Sequence, residues 1–473
     1  MAAPLRIQSD WAQALRKDEG EAWLSCHPPG KPTLYGSLTC QGIGLDGIPE
    51  VTASEGFIVN EINKKSIHIS CPKENSSSKF LAPYTTFSRI HAKSITCLDI
   101  SSGGGLGVSS SADGTMKIWQ ASNGELRRVL EGHVFDVNCC RFFPSGLVVL
   151  SGGMDAQLKI WSAEDASCVV TFKGHKGGIL DTAIVDRGRN VVSGSRDGTV
   201  RLWDCGRSAC LGVIADCGSS INGVAVGILD TAIVDRGRNV VSGSRDGTVR
   251  LWDCGRSACL GVIADCGSSI NGVAVGAADN SINLGSPEQM PSEREVGTES
   301  KMLLLAREDK KLQCLGLQSR QPASGFSKTF ELWGNLGCSD FWKTILETFL
   351  LVYCVFLFIG SDAFNCCTFL SGFLLLAGTQ DGNIYQLDVR SPRVPVQVIH
   401  RSGARVLSVL NFRDGFIASQ GDGSCFIVQQ DLDYVIELTG TDCDPVYKVA
   451  TWEKQIYTCC RDGLVRRYQL SDL

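Results

Sequence analysis

An all-β fold, a β-propeller of about seven blades, is what this sequence predicts, and three observations carry the prediction. His91, His133 and His175 stand 42 residues apart, in one phase with Asp113, Asp155 and Asp197 and with Trp119, Trp161 and Trp203. Around each Asp–Trp pair the chain reads LGVSSSADGTMKIWQ, LVVLSGGMDAQLKIWS or NVVSGSRDGTVRLWD, two β-rich runs joined by a tight turn at Asp-Gly or Asp-Ala, which is a hairpin. The turn aspartate then recurs at Asp309, Asp381, Asp422 and Asp462, giving seven hairpins in all, within the roughly four to eight blades usual for a propeller.

Residues 1–79 carry no repeat. Their runs PTLYGSLTC, GFIVNEI and SIHISC, with a short helix after Ser9, predict a small β-rich N-terminal cap ahead of a propeller over 80–473. Each repeat adds an apolar run before its hairpin (SITCLDI, DVNCCRFF, ILDTAIV) and one after it (RRVL, CVVTF, CLGVI), making four strands in 42 residues. Beyond Trp203 the tryptophan gives way to Leu315, Leu387, Val428 and Tyr468, six residues after each turn aspartate. The last hairpin ends only three residues from the C-terminus, and an open sheet edge invites aggregation. Its outer strand is therefore expected from the N-terminal region, around 80–87.

The pairs Gly132-His133, Gly174-His175 and Trp203-Asp204 make the chain resemble the WD-repeat family, whose repeats run from Gly-His to Trp-Asp. The resemblance implies a hydrogen-bonded set inside each blade: His91, Ser109, Asp113 and Trp119 in the first, His133, Ser151, Asp155 and Trp161 in the second, His175, Ser193, Asp197 and Trp203 in the third. A buried imidazole and indole N–H must both find partners, since an unpaired buried polar group costs about 1–3 kcal/mol. A His-Ser-Asp trio also suits nucleophilic catalysis, but one that recurs three times in register reads as structural. In this family the hairpin turns and the loops between blades share a rim that takes partners. Here they carry Phe135, Asp136, Met154, Lys176, Arg196, Gln380 and Arg461, and an aromatic with two arginines suits a hot spot.

Two stretches depart from the repeat. Residues 178–226 recur without a change at 227–275, a step of 49 that joins mid-blade and puts Val224 where His175 stands in the first copy. Such identity is recent, from an exon duplication or from an error in assembling the sequence, and if real it adds an eighth blade. Residues 322–354 fit no blade, and Trp342, Ile345, Leu346, Phe349 and Leu350 recur at helical spacing there. The uncharged run 348–361 falls short of the ~18–20 residues of a membrane span, and the run after Asp362 contains FLSGFLLLAGTQDG, a core hairpin. Residues 279–300 are polar, without periodicity, and are expected as a long exposed loop.

The chain has 473 residues, 45 Lys plus Arg against 50 Asp plus Glu and a net charge of -5, which offers no footprint for nucleic acid or an anionic membrane. Its 22 Cys lack any CxxC spacing, so reduced thiols are expected rather than zinc. Gly42-Ile43-Gly44-Leu45-Asp46-Gly47 matches GxGxxG, but Pro49 and no helix follow it, so it reads as a turn. Neither catalytic residues, nor a metal, nor a cofactor is expected, and a partner protein is. The N-terminal MAAPLRIQSDWAQALRKDEGEAW, the blade EGHVFDVNCCRFFPSGLVVLSGGMDAQLKIW and the C-terminal VYKVATWEKQIYTCCRDGLVRRYQLSDL are similar to the proteasomal ATPase-associated factors, a group of WD-repeat proteins. That resemblance implies a non-enzymatic factor; a monomer outside its complex, in the cytoplasm and also the nucleus, is expected. It would bind ATPase subunits of the proteasome regulatory particle, help assemble their ring and restrain its association with the core particle. A general WD-repeat scaffold or a ubiquitin-ligase substrate receptor would use the same rim.

Overall fold

The computed structural model describes residues 3–470 apart from 18, 89, 186–187, 217–219, 227–238, 254–257, 288–294, 296–297, 326–356, 392 and 431. Regular structure among them is almost entirely β-strand, with one short α-helix, Trp11–Ala14, and one 3-10 turn, Pro72–Glu74. The chain divides into two compact units. The first comprises Met1–Leu180, Gln380–Asn383 and Ile399–Leu473, the second Asp181–Thr379 and Ile384–Val398.

Among the described residues, eight successive groups of four antiparallel strands build the propeller fold. Four lie mainly in the first unit: Ile95–Ile100 through Leu126–Leu130, Val137–Phe142 through Cys168–Phe172, Val406–Phe412 through Val435–Leu438, and Val446–Trp452 through Val465–Gln469 completed by Thr85–Phe87. The other four, mainly in the second unit, start at Ile179–Val185, Ile221–Val226, Ile270–Ala277 and Phe364–Phe369. One register governs all the hairpins. Trp161 opposes Val149, and Leu315, Leu387, Val428 and Tyr468 oppose Leu303, Leu375, Phe416 and Ile456 in the same place, so the faded repeats keep the geometry with smaller side chains. Trp119 opposes Gly107, where a side chain would come within 2.2 Å of the indole ring as it lies; a larger residue there would push this ring aside.

The strand expected from 80–87 is Thr85–Phe87, which pairs antiparallel with Val465–Gln469, Phe87 opposite Val465. Phe87 then packs on Trp119, ring centroids 5.3 Å apart. The boundary expected between 79 and 80 falls inside the strand Ser76–Leu81. That strand runs parallel to Val435–Leu438, and through it Ser66–Cys71 and Ile58–Ile62 extend the group to a seven-stranded sheet. Ile67, Ile69, Cys71, Phe80 and Leu81 are fully buried, which is the physical reason these strands join a blade's sheet. Before them, Leu5–Ile7, Glu21–Cys26, Leu34–Ile43 and Pro49–Ala53 form a separate four-stranded sheet. Trp11, buried to 1% exposure, docks this region: its indole N–H donates to Thr439 Oγ1 at 3.1 Å, and the Thr439 carbonyl accepts from Tyr468 Oη at 2.7 Å.

The duplicated segment forms its own sheet, Ile221–Val226, Asn239–Ser244, Thr248–Asp253 and Ala258–Asp265. A 49-residue unit holds five strand sequences rather than four. The INGVAV run that closes the first copy therefore becomes the first strand of the new sheet, and the second copy's INGVAV starts the next one. Val224 consequently lies within a strand, not ahead of one as His175 does, which corrects its expected equivalence. Two further expectations change. Within 279–300, Ile282 is buried and Ile282–Asn283 pairs with Ser324–Gly325, while Glu295 and Thr298 are buried and Glu295 meets Arg320 at 3.1 Å; this stretch is pinned by the buried Ile282 and an ion pair, not a free loop. The fourth strand beside Lys311–Gly316 is Leu357–Ile359, so the insertion separates the third and fourth strands of one group. The helix expected within 322–354 lies outside the described residues from 326 on.

Candidate functional site

Each repeat hairpin is fixed by its aspartate. Asp113 Oδ1 accepts from the backbone N–H of Thr115 (2.8 Å) and from its hydroxyl (2.6 Å), and Asp197 does the same with Thr199 at 2.8 and 2.7 Å. This is the Asx-turn geometry that short acidic side chains favour, with Gly114 and Gly198 in the left-handed region at φ +83° and +81°. The second hairpin places Ala156 there instead, at φ 62°.

In the second blade the set is complete and its hydrogens can be assigned. The Trp161 indole N–H donates to Ser151 Oγ (2.8 Å), the Ser151 hydroxyl donates to His133 Nε2 (2.7 Å), and His133 Nδ1–H donates to the Asp155 carboxylate (2.9 Å). Burial outweighs the Asp155 carboxylate and holds the imidazole below its usual pKa, which keeps it neutral and fixes this tautomer. The first blade differs. Trp119 donates to Ser109 (3.1 Å) and Ser109 meets His91 Nε2 (2.9 Å), but Nδ1 reaches the Thr115 hydroxyl at 3.3 Å, and Thr115 in turn reaches Asp113. Burial, then Lys117, depresses His91 to about 4. In the third blade Trp203 donates to Ser193 at 2.8 Å and His175 is buried. Trp252 donates to Ser242 at 2.9 Å in the duplicated sheet. The sequence reading missed the threonine relay, although Asp-Gly-Thr recurs at 113–115, 197–199 and 246–248 and could have signalled it.

With these groups occupied internally, the exposed chemistry lies at the turns. In the first unit each hairpin turn abuts the loop leading into the next sheet. A side chain at Gly114 would come within 3.2 Å of the His133 and Phe135 carbonyls, one at Gly463 within 3.1 Å of the His91 carbonyl, one at Gly423 within 3.0 Å of the Asp444 carbonyl, and one at Gly382 against the Ser402 carbonyl. Met154 likewise packs on Gly178 and takes the Asp136 carbonyl at 2.8 Å through its N–H. This chain of contacts brings Gln380, Arg461, Phe135, Asp136, Met154 and Lys176 onto one rim of the first unit. Arg196, exposed at its own hairpin, belongs to the second. Phe135 is 60% exposed beside Val134 at 72%. Met154 is half-buried and supports the loop more than it faces solvent.

Among the described residues no group of three or more His, Cys, Asp or Glu side chains could hold a metal ion, and no helix is long and apolar enough to cross a membrane. The model of the WD domain, G-beta repeat, matches residues 82–120, 124–162, 166–204 and 210–253. A computationally designed protein, Ika8, shares the fold at a TM-score of 0.59 and 19% identity, over 82% of this chain and 98% of its own. Proteasomal ATPase-associated factor 1 of Bos taurus is 80% identical, that of Homo sapiens 79% and that of Gallus gallus 68%, each over the full length of both chains. The WD-type blades and the full-length likeness together place the chain in a family: it belongs to the proteasomal ATPase-associated factors, WD-repeat β-propeller proteins.

Proposed function

We propose that this chain is a non-catalytic binding factor that engages ATPase subunits of the proteasome regulatory particle, aids assembly of their ring and restrains its association with the core particle. The full-length identity to proteins named for association with the proteasomal ATPase is the observation that carries the reading. The occupied His133-Ser151-Asp155 set supports a non-enzymatic role, because its polar groups already spend their hydrogen bonds within the blade. The rim that carries Phe135 offers a surface of the kind partners use, an exposed aromatic among charged side chains. The protein acts as a monomer outside the complex, in the cytoplasm and also the nucleus.

Affinity capture of the tagged chain from cytosol, with mass spectrometry of retained proteins, tests this. The expected result is regulatory-particle ATPases without core-particle subunits; a different complex enriched in their absence would overturn the reading in favour of a general scaffold. Phe135→Ala combined with Arg196→Ala is expected to weaken capture about tenfold or more while leaving the melting temperature unchanged.

A further inference from the structure

The N-terminal sheet runs in the order Leu5–Ile7, Glu21–Cys26, Leu34–Ile43, Pro49–Ala53, and alternation along its strands buries one face and turns the other to solvent. Ala22 and Leu24 are fully buried, whereas Trp23 between them is 50% exposed, and Tyr35 on the next strand is 78% exposed. Trp23 opposes Ser37 and Tyr35 opposes Ser25. The two aromatic residues are therefore diagonal neighbours on one face, about 7–8 Å apart. The serines opposite them fill little of the space between the rings, and no ring contact closes it. Among the described residues neither the Trp23 indole N–H nor the Tyr35 hydroxyl has a hydrogen-bond partner.

On the side of Leu5–Ile7, Trp23 walls a cavity of about 140 Å³, room for one side chain. Two arginines and three carboxylates line it. Arg401 Nε donates to Glu437 Oε1 at 2.8 Å and Arg6 pairs with Asp422 at 3.4 Å. That leaves Asp442, exposed and without an ion-pair partner among the described residues, so the lining keeps one unmatched negative charge.

Glu21–Cys26 and Leu34–Ile43 each have a strand on both sides. The face therefore offers an incoming chain two rings and two side-chain donors, but no main-chain ladder. An added β-strand would find no acceptors for its N–H groups there. A polyproline II segment needs none: its prolines lack the N–H, its carbonyls are free to accept, and aromatic-lined grooves take it at low entropic cost. We propose that this face binds a proline-rich segment of a partner protein, with a proline ring seated between Trp23 and Tyr35 and a Lys or Arg of the segment in the adjoining cavity beside Asp442. The Trp23 indole N–H and the Tyr35 hydroxyl each donate to a carbonyl of the segment. An acidic residue at the cavity position is disfavoured by the unmatched charge. This site is separate from the exposed Phe135 loop and stands whether or not the proteasomal reading holds.

The full chain is panned against a phage-displayed library of random twelve-residue peptides, and recovered sequences are synthesised with a fluorescent label and titrated by anisotropy. The expected binders are rich in proline, carry a Lys or Arg, and weaken at least about tenfold on Tyr35→Ala, on Asp442→Lys, or when their basic residue is changed to Glu. Tyr35 is exposed enough that its variant is expected to keep the melting temperature of the natural chain. Trp23→Phe, which keeps an apolar ring and removes the donor, is a second variant and is expected to weaken binding about threefold or more. Recovery of proline-free sequences only, binding unchanged in both aromatic variants, or recovery of no binder would each overturn the proposal. So would sedimentation of the free chain as a dimer that Tyr35→Ala dissociates, since a second copy would then cover the face.

Discussion

The serine at the centre of each blade set carries two hydrogen bonds that nothing nearby can replace. In the second blade, Ser151→Ala strands both the Trp161 indole N–H and His133 Nε2 in a buried site. At about 1–3 kcal/mol for each unpaired group, the variant is expected to lose about 2–4 kcal/mol in urea unfolding, against less than about 0.5 kcal/mol for Ser145→Ala on the exposed turn. The histidines add a pH dependence. Burial depresses His91 to about 4 and lowers His133, so both are neutral in the folded chain, whereas the unfolded chain takes up protons near 6.5. Stability is therefore full above about pH 6.5 and is lost as the pH falls toward 4, by up to about 3 kcal/mol for His91 alone. Unfolding midpoints at pH 7, 6 and 5 should fall steadily, and more steeply in the natural chain than in His91→Gln. Equal slopes would show that His91 is not held neutral.

At the scale of elements, the hairpins were legible because a buried strand pair repeats its residues at fixed spacing. Turn aspartates, tryptophans and their smaller replacements all fall in one register. What was not legible is long-range pairing. Nothing in SIHISC or SSSKFL says that its neighbour is Val435–Leu438, because strand alternation fixes which face is buried and not which edge is joined. The rim was legible only as positions. Phe135, Arg461 and Gln380 meet solvent, while the half-burial of Met154 depends on Gly178, a contact between loops. Docking of the N-terminal sheet rests on Trp11 and Thr439. Trp11→Ala is expected to cost about 3–5 kcal/mol locally, seen as faster hydrogen exchange over residues 5–53 with the blades at 95–172 unchanged. Uniform exchange across both regions would contradict a local anchor.

At the scale of the molecule, the duplicated segment is a removable sheet. Residues 221–226 and 270–275 are identical, so deleting 227–275 leaves Ile221–Val226 joined to Gly276, ready to serve as first strand beside Lys301–Arg307. The shortened chain is expected to melt cooperatively and to keep slow exchange over 301–316; aggregation or loss of that protection would show that the extra sheet supports its neighbours. The pairing of Thr85–Phe87 with Val465–Gln469 has a consequence for how the protein is made. Arg466 opposes Thr86 from about 380 residues later. At roughly 5–20 residues per second, a ribosome needs about 20–80 s to deliver the strand that Thr85–Phe87 awaits. Throughout that interval the nascent chain holds an unmatched strand and a half-built seven-stranded sheet, which makes its synthesis, more than its finished state, the stage at which chaperones have most to protect.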